Sequence, residues 1–197
     1  MNNFPLSKQN TLNKQDKSKK GSIDNPISGI VNYINKLPDY FTTSSCSGRI
    51  VLFRAGRPKY KAEVLFVSHD EVKASGLSRL KKHILAAAGS KTNTLWLKQE
   101  SFILHTCCRD IKAAERLLKL AASLNLKHSG IISLGRKTIV ELVGAKQIQL
   151  PLVAEGQLLI NEDKLGLIIK LLNKRMGENK RLLMELYQQL LKLGSSS

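Results

Sequence analysis

The chain has 197 residues, 42% of them hydrophobic and 5% aromatic, and carries 32 Lys and Arg against 15 Asp and Glu, a net charge of +17. That length supports one domain with its own core; the apolar content excludes a disordered chain, and no apolar run reaches the length of a membrane span. The charge gathers polyanions, nucleic acid first among them, while the few aromatics argue against a broad platform for stacking single-stranded bases.

The first 22 or so residues, with Lys8, Lys14, Lys17, Lys19 and Lys20 against Asp16, read as a basic arm, either a loose helix or an unordered segment. Asp24 then reads as an N-cap with Pro26 in the first turn. Ile27, Ile30, Val31, Ile34 and Leu37 follow at helical spacing until Pro38, which predicts a helix over residues 25–37. It leads into Phe41-Thr42-Thr43-Ser44-Ser45-Cys46-Ser47-Gly48-Arg49. Short hydroxyl side chains compete for backbone hydrogen bonds, so this run is expected to be a loop whose N–H groups and hydroxyls converge on an anionic or polar ligand. Gly48 would let the backbone come close to that ligand, and Arg49 can grip a carboxylate or phosphate with two parallel hydrogen bonds.

A strand is predicted over residues 49–54, then a turn at Gly56-Arg57-Pro58. The apolar run 63–68 suits a buried strand that ends at His69-Asp70. Residues 71–88 read as a basic amphipathic helix with Val72, Leu77, Leu80, Ile84 and Leu85 inward, Arg79, Lys81 and Lys82 outward, and Gly89 closing it. The stretches 94–98 and 102–107 form a hairpin or two sequential strands. Lys98 and Glu100 share a strand face, and in a hairpin they would stand near His105 and Arg109.

Asp110 caps a helix to about Asn125 whose inner side is Ile111, Ala114, Leu117, Leu118, Ala121 and Ala122. Ser129-Gly130 opens a strand over 131–134; Gly135-Arg136-Lys137 turns into a strand over 138–143, and Gly144-Ala145-Lys146 into one over 148–153. Residues 162–193 are one long helical pattern or two abutting ones, with Leu165, Ile168, Ile169, Leu172, Met176, Leu183, Leu186 and Leu190 as the stripe and Gly177 as the place for a kink. The fold class is therefore α+β or mixed α/β, a mixed or antiparallel sheet flanked by helices. No Gly-x-Gly-x-x-Gly follows a strand and no Walker-type lysine loop occurs, so a doubly wound dinucleotide fold and the usual nucleotide hydrolases are excluded.

The chemistry-bearing residues leave several readings open. Cys46 is a packed thiol, or a nucleophile if His69 or His105 stands beside it. Three cysteines, Cys46, Cys107 and Cys108, point to reduced thiols in a cytoplasmic protein. In His105-Thr106-Cys107-Cys108 the alternation of a strand sends neighbours to opposite faces, so no metal is expected. A strand histidine is either a hydrogen-bonded structural residue or an acid or base, and Glu100 and Glu141 cannot be placed together.

In order along the chain, Asp16-x-Ser18-x-Lys20-Gly21-Ser22-Ile23-Asp24, Thr42 to Ile50, Val67-Ser68-His69, Lys98-x-Glu100-x-Phe102-Ile103-Leu104-His105 with Cys108-Arg109, Ser129-Gly130-Ile131, Leu150-Pro151-Leu152 and Met176 to Arg181 resemble the tRNA wybutosine-synthesising protein 3 family. Val64 stands where that family usually has Trp, Ser101 where it has Pro, and Gln149 where it has an acidic residue. The resemblance implies a single methyltransferase-like domain over residues 1–197, with the basic arm at about 1–22 and the long helical region at about 162–193. It further implies methyl transfer from S-adenosylmethionine to nitrogen 4 of the tricyclic guanosine just 3′ of the anticodon in phenylalanine tRNA. In that reading Ser45, Cys46, Ser47, Gly48, Arg49, Ser129 and Gly130 hold the donor, and His69, His105, Glu100 and Lys98 surround and orient the acceptor. Lys20, Arg79, Lys81, Lys82 and Arg109 take tRNA phosphates, the anticodon arm being the partner. A non-catalytic RNA-binding protein on the same scaffold is the alternative, and a thiol enzyme built on Cys46 a third.

Overall fold

The computed structural model describes residues 3–13, 22–55, 62–89 and 94–195. Lys20 and the expected turn at Gly56-Arg57-Pro58 lie outside the described residues. In chain order the elements are α1 (Phe4–Leu12), α2 (Asn25–Lys36), β1 (Tyr40–Cys46), β2 (Arg49–Arg54), β3 (Glu63–Ser68), α3 (Ala74–Ala87), β4 (Leu95–Glu100) and β5 (Ile103–Cys108). Then follow α4 (Ile111–Ser123), β6 (Gly130–Ser133), β7 (Thr138–Val143), β8 (Ile148–Ala154), β9 (Gln157–Leu158) and α5 (Glu162–Ser195). Among the described residues all strand pairing is antiparallel, in two separate sheets, which gives the α+β class expected. Contacts divide the chain into two compact units: Met1–Ser47, Phe102–Ala145 and Asn179–Ser197 form the first, Gly48–Ser101 and Lys146–Glu178 the second.

The first unit holds a four-stranded sheet in the order β1-β5-β7-β6. Alternation along the strands turns Leu104, Cys108, Val140 and Leu142 to one face, where they pack with Ile27, Ile30, Val31 and Ile34 of α2 and Ala113, Ala114, Leu117 and Ala121 of α4. Leu183, Leu186 and Leu190 of α5 complete this core. The opposite face is covered at one end by α1, whose Phe4 packs on Phe41 and Cys107 with the two rings 5.2 Å apart. Asp110 caps α4 as expected, accepting from Ala113 N at 2.8 Å. Ile111, expected to face inward, is 53% exposed, because the buried stripe begins two residues later at Ala113 and Ala114.

The second unit holds a five-stranded sheet in the order β3-β2-β4-β8-β9. Ile50, Leu52, Leu95, Leu97, Leu152 and Val153 pack with Leu80 and Ile84 of α3 and Leu165, Ile169, Leu172 and Met176 of α5. Thus the apolar stripe of a single 34-residue helix divides between two cores, its first five named positions serving one and its last three the other.

Three expectations are corrected and one open alternative is decided. The hydroxyl run is a strand, β1, rather than a loop: Tyr40, Phe41, Thr42 and Thr43 favour extended backbone, and cross-strand pairing with β5 carries the run through Cys46. Only Ser47 and Gly48 are left between β1 and β2, with Gly48 at φ +92°. Residues 63–68 form an edge strand, not a buried one, with Val64 58% and Val67 47% exposed, Phe66 buried in the core and Leu65 packed against it part-buried. Of the two readings of residues 94–98 and 102–107, the two sequential strands hold and the hairpin does not: β4 and β5 belong to different sheets, joined by buried Ser101 and Phe102 instead of turn residues. Leu85 lies outward, 45% exposed. Strand β8 is as expected, but β9, paired to it through a turn with Glu155 at φ +50° and Gly156 at φ +78°, is two residues long and carries too little apolar pattern to be read from sequence.

Candidate functional site

In the first unit, the end of β1 is fastened by a buried polar network. Asp24 sits at the N-cap position of α2, yet its carboxylate makes no cap bond to that helix. Its Oδ2 instead accepts from Ser47 N at 3.0 Å and from Ser47 Oγ at 3.2 Å. Asn179 donates from Nδ2 to Ser47 O at 2.8 Å and accepts on Oδ1 from Phe102 N at 3.0 Å. All three side chains are buried, so the network holds the chain at Ser47 and Phe102, where strands end or begin. Ser47 thereby has its N–H, hydroxyl and carbonyl all engaged by protein, whereas Ser45 and Cys46 are half-buried.

On the sheet face opposite the helical core, His105 on β5 is the direct cross-strand partner of Glu141 on β7, with Nε2 2.8 Å from Oε2. On its other side His105 meets Ser44 of β1, where the pairing slips between Thr42 and Ser44. Such a bulge re-aims side chains, and here Thr43 Oγ1 donates to His105 O at 3.4 Å. Gly130 is paired with Glu141, and Ser129 Oγ accepts from Val143 N at 3.1 Å, so the two residues sit at the edge of this same sheet. Burial pushes the Cys108 thiol up to about 12 and raises that of Cys107 too, so neither supplies a thiolate near neutrality.

In the second unit, Arg49 and Glu100 are paired across β2 and β4. Arg49 Nε lies 2.6 Å from Glu100 Oε2, and Lys98 Nζ lies 3.1 Å from Oε1. One carboxylate is therefore shared by two cations, in side chains 25–40% exposed. Burial by itself raises the Glu100 pKa, but the hydrogen bond and charge of Arg49, with those of Lys98, outweigh it and hold the carboxyl below its ordinary value. Ser68 of β3 is paired with Ile50, so His69, the next residue, stands at the strand end beside Arg49. On α3, Arg79 is exposed and lies over the Phe66 ring at 5.5 Å, Lys82 is exposed, and Lys81 is half-buried.

Within its own unit each of Lys98, Glu100, His105 and Arg109 has a charged partner. Lys98 and Glu100 pair with Arg49, and His105 pairs with Glu141. Arg109 is engaged by Asp39 at 2.7 Å and Asp110 at 3.3 Å.

A family model described as "Methyltransferase TYW3" matches residues 6–192. The chain belongs to this family. It is 34% identical to a Thermococcus sibiricus protein over 97% of this chain and 96% of that one, and that relative is named tRNA(Phe) 7-((3-amino-3-carboxypropyl)-4-demethylwyosine(37)-N(4))-methyltransferase. It is also 34% identical to the Xenopus laevis tRNA wybutosine-synthesizing protein 3 homolog, over 90% of this chain and 70% of the relative. Among solved structures, the PH1069 protein of Pyrococcus horikoshii OT3 superposes with a TM-score of 0.84 at 30% identity, covering 98% of this chain and 96% of that chain.

As a TYW3-family methyltransferase the protein needs a methyl donor, and no described helix is long and apolar enough to cross a membrane. Two features of the site escaped the sequence reading. The Asp24–Ser47–Asn179 network joins residues 132 apart in the chain, as Asn179 and Ser47 are, and no local pattern announces it. Glu141 did leave a signal: it is the one charge in Thr138–Val143, on the strand face shared with Ile139 and Val143.

Proposed function

We propose that this TYW3-family methyltransferase moves a methyl group from S-adenosylmethionine to nitrogen 4 of a wyosine-type tricyclic guanosine, 3′ of the anticodon of phenylalanine tRNA, in the cytoplasm. The observation that carries this reading is the end-to-end likeness to the Thermococcus sibiricus enzyme, whose name states that chemistry. A charge of +17 agrees with a polyanionic substrate.

The donor supplies an electrophilic methyl on a sulfonium, and its amino-acid end is a zwitterion. Arg49, Lys98 and Glu100 fit that end: among the described residues Arg49 meets Glu100 through Nε, leaving its terminal nitrogens for a carboxylate. Glu100 adds an acceptor for an ammonium. The remaining work is positioning, because holding the reacting atoms in line removes most of such a barrier. Arg79 and Lys82 on the outer face of α3, with Lys81 beside them, suit phosphate contacts that fix register without reading bases.

Phenylalanine tRNA carrying the unmethylated tricyclic base, incubated with protein and isotopically labelled donor, tests the reading by nucleoside mass spectrometry. A labelled methyl-sized gain on the tricyclic nucleoside is expected. A gain on an ordinary nucleoside alone, or none with a donor that binds, would overturn it.

A further inference from the structure

The His105–Glu141 pair has the geometry of a proton-transfer dyad. The two side chains are direct cross-strand partners on the face away from the helical core, each 26% exposed, with half-buried Ile103, Ile139 and Val143 on the same face. Partial burial among apolar neighbours strengthens a hydrogen bond and limits the competing water, while the remaining exposure leaves the ring accessible. Among the described residues Glu141 has no partner but His105, and the His105 ring none but Glu141. An Nε2–H donated to a carboxylate fixes the neutral tautomer whose lone pair is on Nδ1. The β1 bulge flanks the same ring, and Thr43 holds the backbone of His105 from that side.

We propose that Glu141 is a positioning residue that keeps His105 in the Nε2–H tautomer, so that Nδ1 accepts the proton released by the acceptor nitrogen on methylation. This role rests on the methyl-transfer reading above. The balance closes without a further reagent. The acceptor nitrogen forms its bond to the methyl carbon as the carbon–sulfur electron pair returns to the sulfonium, and its N–H proton passes to Nδ1. The imidazolium so formed faces the Glu141 carboxylate, which stabilises it until the proton leaves to solvent.

Nitrogen-15 NMR of histidine-labelled protein reads the tautomer directly, with the His105 signals assigned by their loss in His105→Gln. In the unsubstituted protein at a pH where the ring is neutral, a protonated Nε2 and a bare Nδ1 are expected. Glu141→Gln, close in shape, should give a tautomer mixture and lower kcat roughly 100-fold, with the donor KM and tRNA Kd little changed. Glu141→Asp should restore part of both. A proton on Nδ1 in the unsubstituted protein, or an unchanged kcat in Glu141→Gln, would overturn the assignment. If the unsubstituted protein methylates no tricyclic base, the functional reading fails on its own, and the ring signals alone still decide whether Glu141 sets the tautomer.

Discussion

Asp24 in the first unit and Glu100 in the second are both carboxylates that tie down the end of a strand, yet they are treated in opposite ways. Asp24 is 7% exposed and accepts from the N–H and hydroxyl of one serine. Glu100 has a side chain 27% exposed and is held by two cations. A buried carboxylate bound by fixed backbone and hydroxyl donors can rotate little and has little left to offer, which is the behaviour of an anchor. A half-exposed carboxylate between a guanidinium and an ammonium belongs to a cluster with hydrogen-bonding capacity remaining on its rim. Of the polar residues that the sequence places in one short run, Ser47 is thus bound up in the buried network, whereas Arg49 stands in the half-exposed cluster proposed to meet the donor.

The sharpest way to break this distinction is Arg49→Ala. If Arg49 grips the donor, losing that charge-assisted contact costs about 3 kcal/mol of transition-state stabilisation, roughly 100-fold in kcat/KM. The tRNA Kd should stay nearly constant and the unfolding midpoint should hardly move, because the side chain is 40% exposed. A collapse of tRNA affinity with normal donor binding would make Arg49 a phosphate contact instead.

The mirror experiment is Asn179→Ala, where stability rather than turnover should respond. It leaves Phe102 N–H and Ser47 C=O without the partners they now have in a buried setting. Each such group costs about 1–3 kcal/mol, so a loss of about 3 kcal/mol is expected in urea titration. A loss below about 1 kcal/mol would mean that water replaces the amide, and Asn179 would then not be the anchor described here.

How much of this could be read beforehand follows from the range of each interaction. Local patterns placed α2, α4, β2, β7 and α5 to within a residue or two, since helical and strand periodicity and the Asp110 cap act over a few positions. The Arg49–Glu100 pair was half legible: both residues were singled out, but 51 positions of chain separate them and the partner had to come from sheet register. The hydroxyl run was misread because its propensity for loops was weighed without β5, whose pairing overrides it. Glu141 went unassigned because only the β5–β7 register puts it opposite His105.

The smallest expected effect lies in the acid limb of the stability curve, and it tests the cation cluster without reference to catalysis. Arg49 and Lys98 together hold the Glu100 pKa below its ordinary value against the opposing effect of burial. A carboxyl whose pKa is depressed on folding contributes stability that is complete above its unfolded pKa, about 4.3 for Glu, and is lost as pH falls through the folded value. Stability measured from pH 6 downward should therefore fall less steeply below about pH 4.3 in Glu100→Gln than in the unsubstituted protein, with the two curves keeping a constant offset above that pH. Lys98→Met should shift the limb part of the way, because Arg49 remains. An identical acid limb in all three proteins would mean that the two cations do not stabilise Glu100 in solution, and the contrast with Asp24 would lose its electrostatic half.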